Sequence, residues 1–138
     1  MSVTLSGMNE LRAALLALPE ELTGQAATIV ESHATIAASL IEAVYPEGPT
    51  GNLKRGVTVE HNSSKFAAST IVRSRARHAT LYERGTRQRH THAGANRGRM
   101  PQAPEGRRMI PIVVRMRARM VQALVNMVRE NGFAVSGQ

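Results

Sequence analysis

The sequence predicts an α+β domain in which a long N-terminal helix and a C-terminal helix pack on a small antiparallel β-sheet, with a long basic loop ahead of the last helix. Three observations predict it. Apolar residues recur at three- and four-residue spacing over 22–44 and again over 113–127, the period of a helix with one buried face. Between them, residues 57–83 hold short β-prone runs with tight polar connections. Residues 85–108 carry four Gly and two Pro and, apart from Met100, almost no large apolar side chain, so they join neither period. The 138 residues make one domain.

Each element follows from its residues. Leu5, Met8, Leu11, Leu15 and Leu18 predict a first helical segment. Pro19 suits the first turn of a second helix, and Glu20 and Glu21 add favourable charge there. Leu22, Ala26, Ile29, Val30, His33, Ile36, Ala37, Leu40, Ile41 and Val44 carry its apolar stripe until Pro46, Gly48 and Pro49 end it. His33, on that stripe, reads as a buried and satisfied histidine. Val57–Val59, Phe66–Val72 and His78–Glu83 are three candidate strands, with Asn62-Ser63-Ser64 as the first turn and Gly85 closing the third. Pro111 opens the last helix, whose stripe is Val113, Met116, Met120, Leu124 and Met127, and Asn131-Gly132 stops it. The loop, about 86–108, reads either as a flexible interaction arm or as a β-hairpin extending onto an assembly partner. A short tail, 133–138, follows the last helix.

Composition limits the chemistry. There is no Cys and no Asp; all ten acids are Glu. That excludes a disulfide scaffold, thiol catalysis and cysteine-ligated metals, and fits synthesis in a reducing cytosol. The longest uncharged stretch, Ser32–Ile41, is ten residues, well short of the roughly 20 that span a bilayer. No membrane contact is expected.

The net charge of +8 is unevenly spread. Residues 1–72 sum to −3, residues 73–119 hold thirteen Arg against Glu83 and Glu105 for +11, and residues 120–138 cancel. Sixteen of the eighteen cations are Arg. A block of this kind meets phosphate or an acidic protein surface.

No catalytic set emerges. His90-Thr91-His92 presents two imidazoles, but a zinc site needs three or four ligands and an orienting outer layer. No Gly-x-Ser-x-Gly elbow exists for a serine nucleophile, and Gly94–Gly98 with Arg97 and Arg99 lacks a phosphate-loop pattern. No enzyme activity, metal or cofactor is expected. Sequence-nonspecific nucleic-acid binding is the stronger alternative, since the arginines supply phosphate contacts. Against it, the aromatics are only Tyr45, Phe66, Tyr82 and Phe133, and single-strand binders stack bases on aromatic rings.

Three stretches in order carry a resemblance. The first is Leu5-Ser6-Gly7-Met8-Asn9-Glu10-Leu11-Arg12, closing on Leu18-Pro19-Glu20-Glu21-Leu22. The second is Tyr45-Pro46-Glu47-Gly48-Pro49-Thr50-Gly51-Asn52-Leu53-Lys54-Arg55-Gly56-Val57. The third is His78-Ala79-Thr80-Leu81-Tyr82-Glu83-Arg84-Gly85-Thr86. Together they resemble the neck and tail-component proteins of long-tailed (siphovirus-type) phages, which carry Pro-x-x-Thr-Gly-x-Leu-Arg-x-Ser-Ile between long helix and first strand and Tyr-Ala-x-Tyr-Val-Glu-x-Gly-Thr at the third stretch. The family's Pro-Phe-Leu-Arg-Pro-Ala before the last helix is replaced here by Met109-Ile110-Pro111-Ile112-Val113, and the loop is longer and more basic.

The resemblance implies a virion structural protein, a head–tail connector or tail-completion protein made in the host bacterial cytoplasm. It would form a ring with itself in the virion neck, between the portal-side connector or stopper and the tail tube or tail terminator, around the DNA channel. Its partners would be those proteins, with nonspecific contact to passing DNA. On this reading Thr50, Gly51 and Leu53 shape and anchor the helix-to-sheet corner, and Glu83, Gly85 and Thr86 end the third strand where the arm departs. Arg84, Arg87, Arg89, Arg97, Arg99, Arg107 and Arg108 are the assembly contacts.

Overall fold

A computed structural model of the chain describes residues 20–64 and 67–132. The helical segment expected over Leu5–Leu18 and the tail at 133–138 lie outside the described residues. The elements are helix α1 (Glu20–Val44), a short turn of helix α2 (Asn52–Arg55), strands β1 (Val57–Ser64) and β2 (Ala67–Ser74), helix α3 (Ala79–Arg84) and helix α4 (Met109–Glu130). The α+β architecture is as expected: two long helices on a small antiparallel sheet. Among the described residues no helix is long and apolar enough to cross a membrane.

The sheet has two strands, β1 and β2. Their register runs from Val57 opposite Ser74 to Ser64 opposite Ala67. The expected turn at Asn62-Ser63-Ser64 is therefore strand. Val59 stands opposite Val72 and both pack on the core, as period-two alternation requires. On the other face Glu60 holds Arg75 at 2.9 Å and Arg73 at 3.6 Å.

The third expected strand, His78–Glu83, is instead helix α3. Ala79, Tyr82 and Glu83 are spaced three and four apart, which gathers them on one face of a helix. Ala79 and Glu83 are buried there. In a strand Ala79, Leu81 and Glu83 would share one face and Tyr82 would take the other. The helix instead brings Tyr82 to the core with Ala79 and Glu83 and leaves Leu81 42% exposed.

A two-stranded hairpin needs a covering element to persist, and α1 supplies it. Ala38 and Ile41 of α1 and Tyr45 just beyond its end form one core with Leu53, Val57 and Ala79, joined by Met109, Ile112 and Val113 from the start of α4. Further along the helix pair, Ala26 packs with Leu124, Met127 and Val128. The apolar stripe of α1 is only partly used. Leu22, Ala26, Ala37 and Ile41 are buried, but Ile36, Leu40 and Val44 are 48%, 42% and 41% exposed. The apolar arc of α1 is wider than the sheet and α4 together cover. His33 is half-buried and its Nδ1 lies 2.8 Å from the Ile29 carbonyl, a contact satisfied within the helix.

The corner between α1 and β1 follows the sequence. Gly51 has φ +61°, the left-handed region that glycine enters without strain. Leu53 is buried in the core behind it, and the Thr50 carbonyl accepts from the Arg55 guanidinium.

Candidate functional site

Glu83 of the third stretch is one buried carboxylate around which Tyr45 of the second stretch and the start of α4 meet. Glu83 is 5% exposed and accepts four hydrogen bonds. Oε1 takes the Tyr45 hydroxyl at 2.9 Å and the Met109 N–H at 2.8 Å. Oε2 takes the N–H groups of Arg107 at 2.7 Å and Arg108 at 3.0 Å. The backbone donors belong to the start of α4, where N–H groups lack intrahelical acceptors and the helix dipole favours negative charge. Glu83 thus caps α4 from a distant element. Burial by itself raises the carboxyl pKa, but the bonds from Met109, Arg108, Tyr45 and Arg107 outweigh it and hold the group below the usual glutamate value. Burial raises the Tyr45 phenol, and the hydrogen bond and charge of Glu83 and the neighbouring Tyr82 push it further up.

Arg107 completes this node. Its Nε donates to the Tyr82 carbonyl at 3.0 Å and its Nη2 to the Pro101 carbonyl at 2.8 Å. The guanidinium lies 5.4 Å from the centroid of the Tyr82 ring, and that ring meets Tyr45 edge-on at 5.6 Å. Of the seven arginines expected as contacts, Arg107 therefore serves the fold. Neither tyrosine was expected to matter. The signal for Tyr45 lay in the second stretch, as a lone aromatic directly before the proline that ends α1.

Gly85 and Thr86 root the arm. Gly85 has φ +80°, and a Cβ there would run into the Pro101 oxygen and the Gln102 Cα. Thr86 is buried; its N–H donates to the Met100 carbonyl, and its Oγ1 accepts the Met100 N–H, both at 3.0 Å. The Ala103 N–H returns to the Arg84 carbonyl at 3.0 Å. Beyond the root the chain forms an irregular hairpin. The Arg97 N–H donates to the Arg89 carbonyl at 2.7 Å and the Thr91 N–H to the Ala95 carbonyl at 2.8 Å, with one isolated bridge between His90 and Asn96. The segment 86–106 is thus a closed excursion hydrogen-bonded to itself and pinned at its base.

The remaining expected contacts, Arg84, Arg87, Arg89, Arg97, Arg99 and Arg108, are all exposed. Arg87 and Arg99 share a cleft of about 370 Å³ at the arm root with Gln88 and Gln102. Among the described residues the ion pairs are those of Glu60 with Arg73 and Arg75, so these six guanidiniums have no carboxylate partner. His90 and His92 are exposed on the arm. Among the described residues no three His or Glu side chains gather closely enough to hold a metal ion. The buried acid and the tyrosines face the helix terminus and each other, and the exposed arginines lie outside this node.

Comparison with protein families, characterised proteins and solved structures gives no match for this chain.

Proposed function

We propose that this chain is a virion structural protein: a head–tail connector or tail-completion protein of a long-tailed phage, forming a ring in the neck around the DNA channel. The observation that carries the reading is the meeting of two of the resembling stretches at one node. Tyr45 opens the second stretch, Glu83 and Thr86 belong to the third, and the start of α4 stands where the family carries its own apolar segment. That node closes an arm whose exposed arginines have no partner of their own. Arginine suits assembly contacts, because its planar fork grips carboxylates at two points and sheds water more readily than an ammonium does.

Electron microscopy of the phage particle tests the reading. A ring of this chain between the portal-side connector and the tail tube is the expected result; particles that join heads to tails normally without the chain would overturn it. The unpaired arginines also favour a second reading, nonspecific binding of nucleic acid. It predicts a duplex affinity whose logarithm falls steeply and linearly with the logarithm of salt concentration.

A further inference from the structure

We infer that copies of this chain join head to tail, the arginine arm of one copy lying along the acidic outer ridge of α1 on the next. The inference rests on the ring reading above and supplies its contact.

The receiving surface is unusual in charge. α1 holds Glu20, Glu21, Glu31 and Glu42 and no Lys or Arg in 25 residues, and its last turn carries no basic residue. None of these glutamates is ion-paired among the described residues. A helix C-terminus attracts cations, so Glu42 near that end adds to a negative potential that no ion pair among the described residues offsets. Glu31 and Glu42 are three turns apart, which sets them on one line of the helix about 16 Å apart. Between them stand Thr35 and Ser39, both exposed. The Thr35 hydroxyl donates to the Glu31 carbonyl at 2.9 Å and the Ser39 hydroxyl to the Thr35 carbonyl at 3.1 Å. Covering this ridge strands no hydroxyl donor, so its desolvation cost is low.

The arm matches in charge and length. Five residues from Thr86 to Thr91 reach at most roughly 16 Å at strand spacing, the span from Glu31 to Glu42. Arg87 and Arg99 flank one cleft at its root, and the Arg97 N–H binds the Arg89 carbonyl one step further out. Two guanidiniums beside one cleft repel each other until an anion lies between them, and the Thr86–Met100 bonds hold that arrangement before any partner arrives. Arm and ridge are different patches of one chain, so the contact is heterologous and closes into a ring or runs on as a filament.

The chain has no cysteine, so disulfide trapping has no background. Two single variants, Ser39→Cys on the ridge and Gln88→Cys on the arm, are mixed at about 1 mM, a concentration that detects even weak association, and oxidised at low salt. A mixed disulfide dimer well above that of a Ser39→Cys and Glu130→Cys control is expected. Adding Glu31→Arg and Glu42→Arg to the ridge variant should cut its yield about tenfold. Adding Arg87→Glu and Arg99→Glu to the arm variant should restore it. A yield no greater than the control, or one indifferent to the reversals, overturns the inference. So does arm-reversed chain that loses duplex affinity while cross-linking as before, since the arm would then be a nucleic-acid contact. A neck ring whose copies touch elsewhere sinks this contact and leaves the neck reading intact; a trapped ridge-to-arm pair in a chain missing from the particle does the reverse.

Discussion

The hydroxyl of Tyr45 donates to Oε1 of Glu83 at 2.9 Å, tying the residue that follows α1 to helix α3 across 38 positions of sequence. With three backbone N–H groups from the start of α4 on the same carboxylate, one side chain joins three helices. The arm is the stretch of chain that leaves this knot at Gly85 and returns to it at Arg107.

Tyr45→Phe removes one bond to a charged acceptor and should cost about 1.5–3 kcal/mol. Glu83→Gln should cost more, about 3 kcal/mol or above, because an amide offers one acceptor oxygen and turns an N–H₂ toward backbone donors. Denaturant midpoints measure both. Hydrogen exchange separates them: in Glu83→Gln the amides of Arg107, Arg108 and Met109 should lose protection first. Equal exchange at these three positions in wild type and variant would contradict the cap.

The pH dependence follows from the direction of the Glu83 shift. Burial pushes its pKa up, but the four hydrogen bonds bring the folded value below the usual one, near 4.3 for the unfolded chain. In acid the unfolded state then binds more protons, so stability rises with pH. The contribution of Glu83 is complete above the unfolded value and is lost as pH falls through the folded one. Glu60 is also shifted down, by its hydrogen bond to Arg75 and the charge of Arg73, so wild type alone does not isolate Glu83. The difference between wild type and Glu83→Gln should shrink as pH falls below about 4. A difference that is constant from neutral pH into acid would rule out the ionised cap. The Tyr45 phenol is raised, so above about pH 10 the unfolded state sheds a proton that the folded state keeps. Stability should fall there as pH rises, less so in Tyr45→Phe.

The long-range features explain what the sequence could and could not disclose. The buried stripes of α1 and α4 and the Gly51 corner were legible because their cause is local: apolar period and the freedom of a glycine. The third strand was misread because six residues from His78 to Glu83 fit period two and period three-to-four about equally. What marks the helix is that Tyr82 turns inward with Ala79 and Glu83 while Leu81 is left exposed. The demand on Glu83 comes from backbone donors 24 to 26 residues away. Backbone N–H groups have no residue signature, so nothing in the chain announced them. The exposure of Ile36, Leu40 and Val44 was hidden for a related reason: periodicity reports an apolar arc but not how much of it neighbours cover.

Gly85→Ala should disrupt the arm root. The new Cβ would enter backbone atoms of Pro101 and Gln102, and φ +80° is itself unfavourable for alanine. Strain alone costs about 1–3 kcal/mol, and the overlap must also be relieved by moving 101–102. Gly94→Ala is the control. Its φ is +83° but nothing lies within 4 Å of the added carbon, so it carries only the backbone strain of about 1–3 kcal/mol and no overlap. Thermal unfolding ranks the two; similar midpoints would mean that the close approach at Gly85 is not needed.

The arginines divide into Arg107, which the fold engages, and exposed ones that the fold leaves without a carboxylate. Arg87, Arg89, Arg97 and Arg99 are exposed and lack a carboxylate, so changing all four to Gln should leave stability within about 0.5 kcal/mol per site or raise it by easing repulsion. The same variant should lose the joining of heads to tails. Arg107→Gln should behave oppositely. It forfeits two bonds to carbonyls and the contact with the Tyr82 ring, for about 1–3 kcal/mol, while leaving every exposed arm cation in place. Unfolding curves and a count of joined particles, taken on both variants, settle the division. If the fourfold change unfolds the chain, or if particle joining depends on Arg107 with the fold intact, the assignment of roles is reversed.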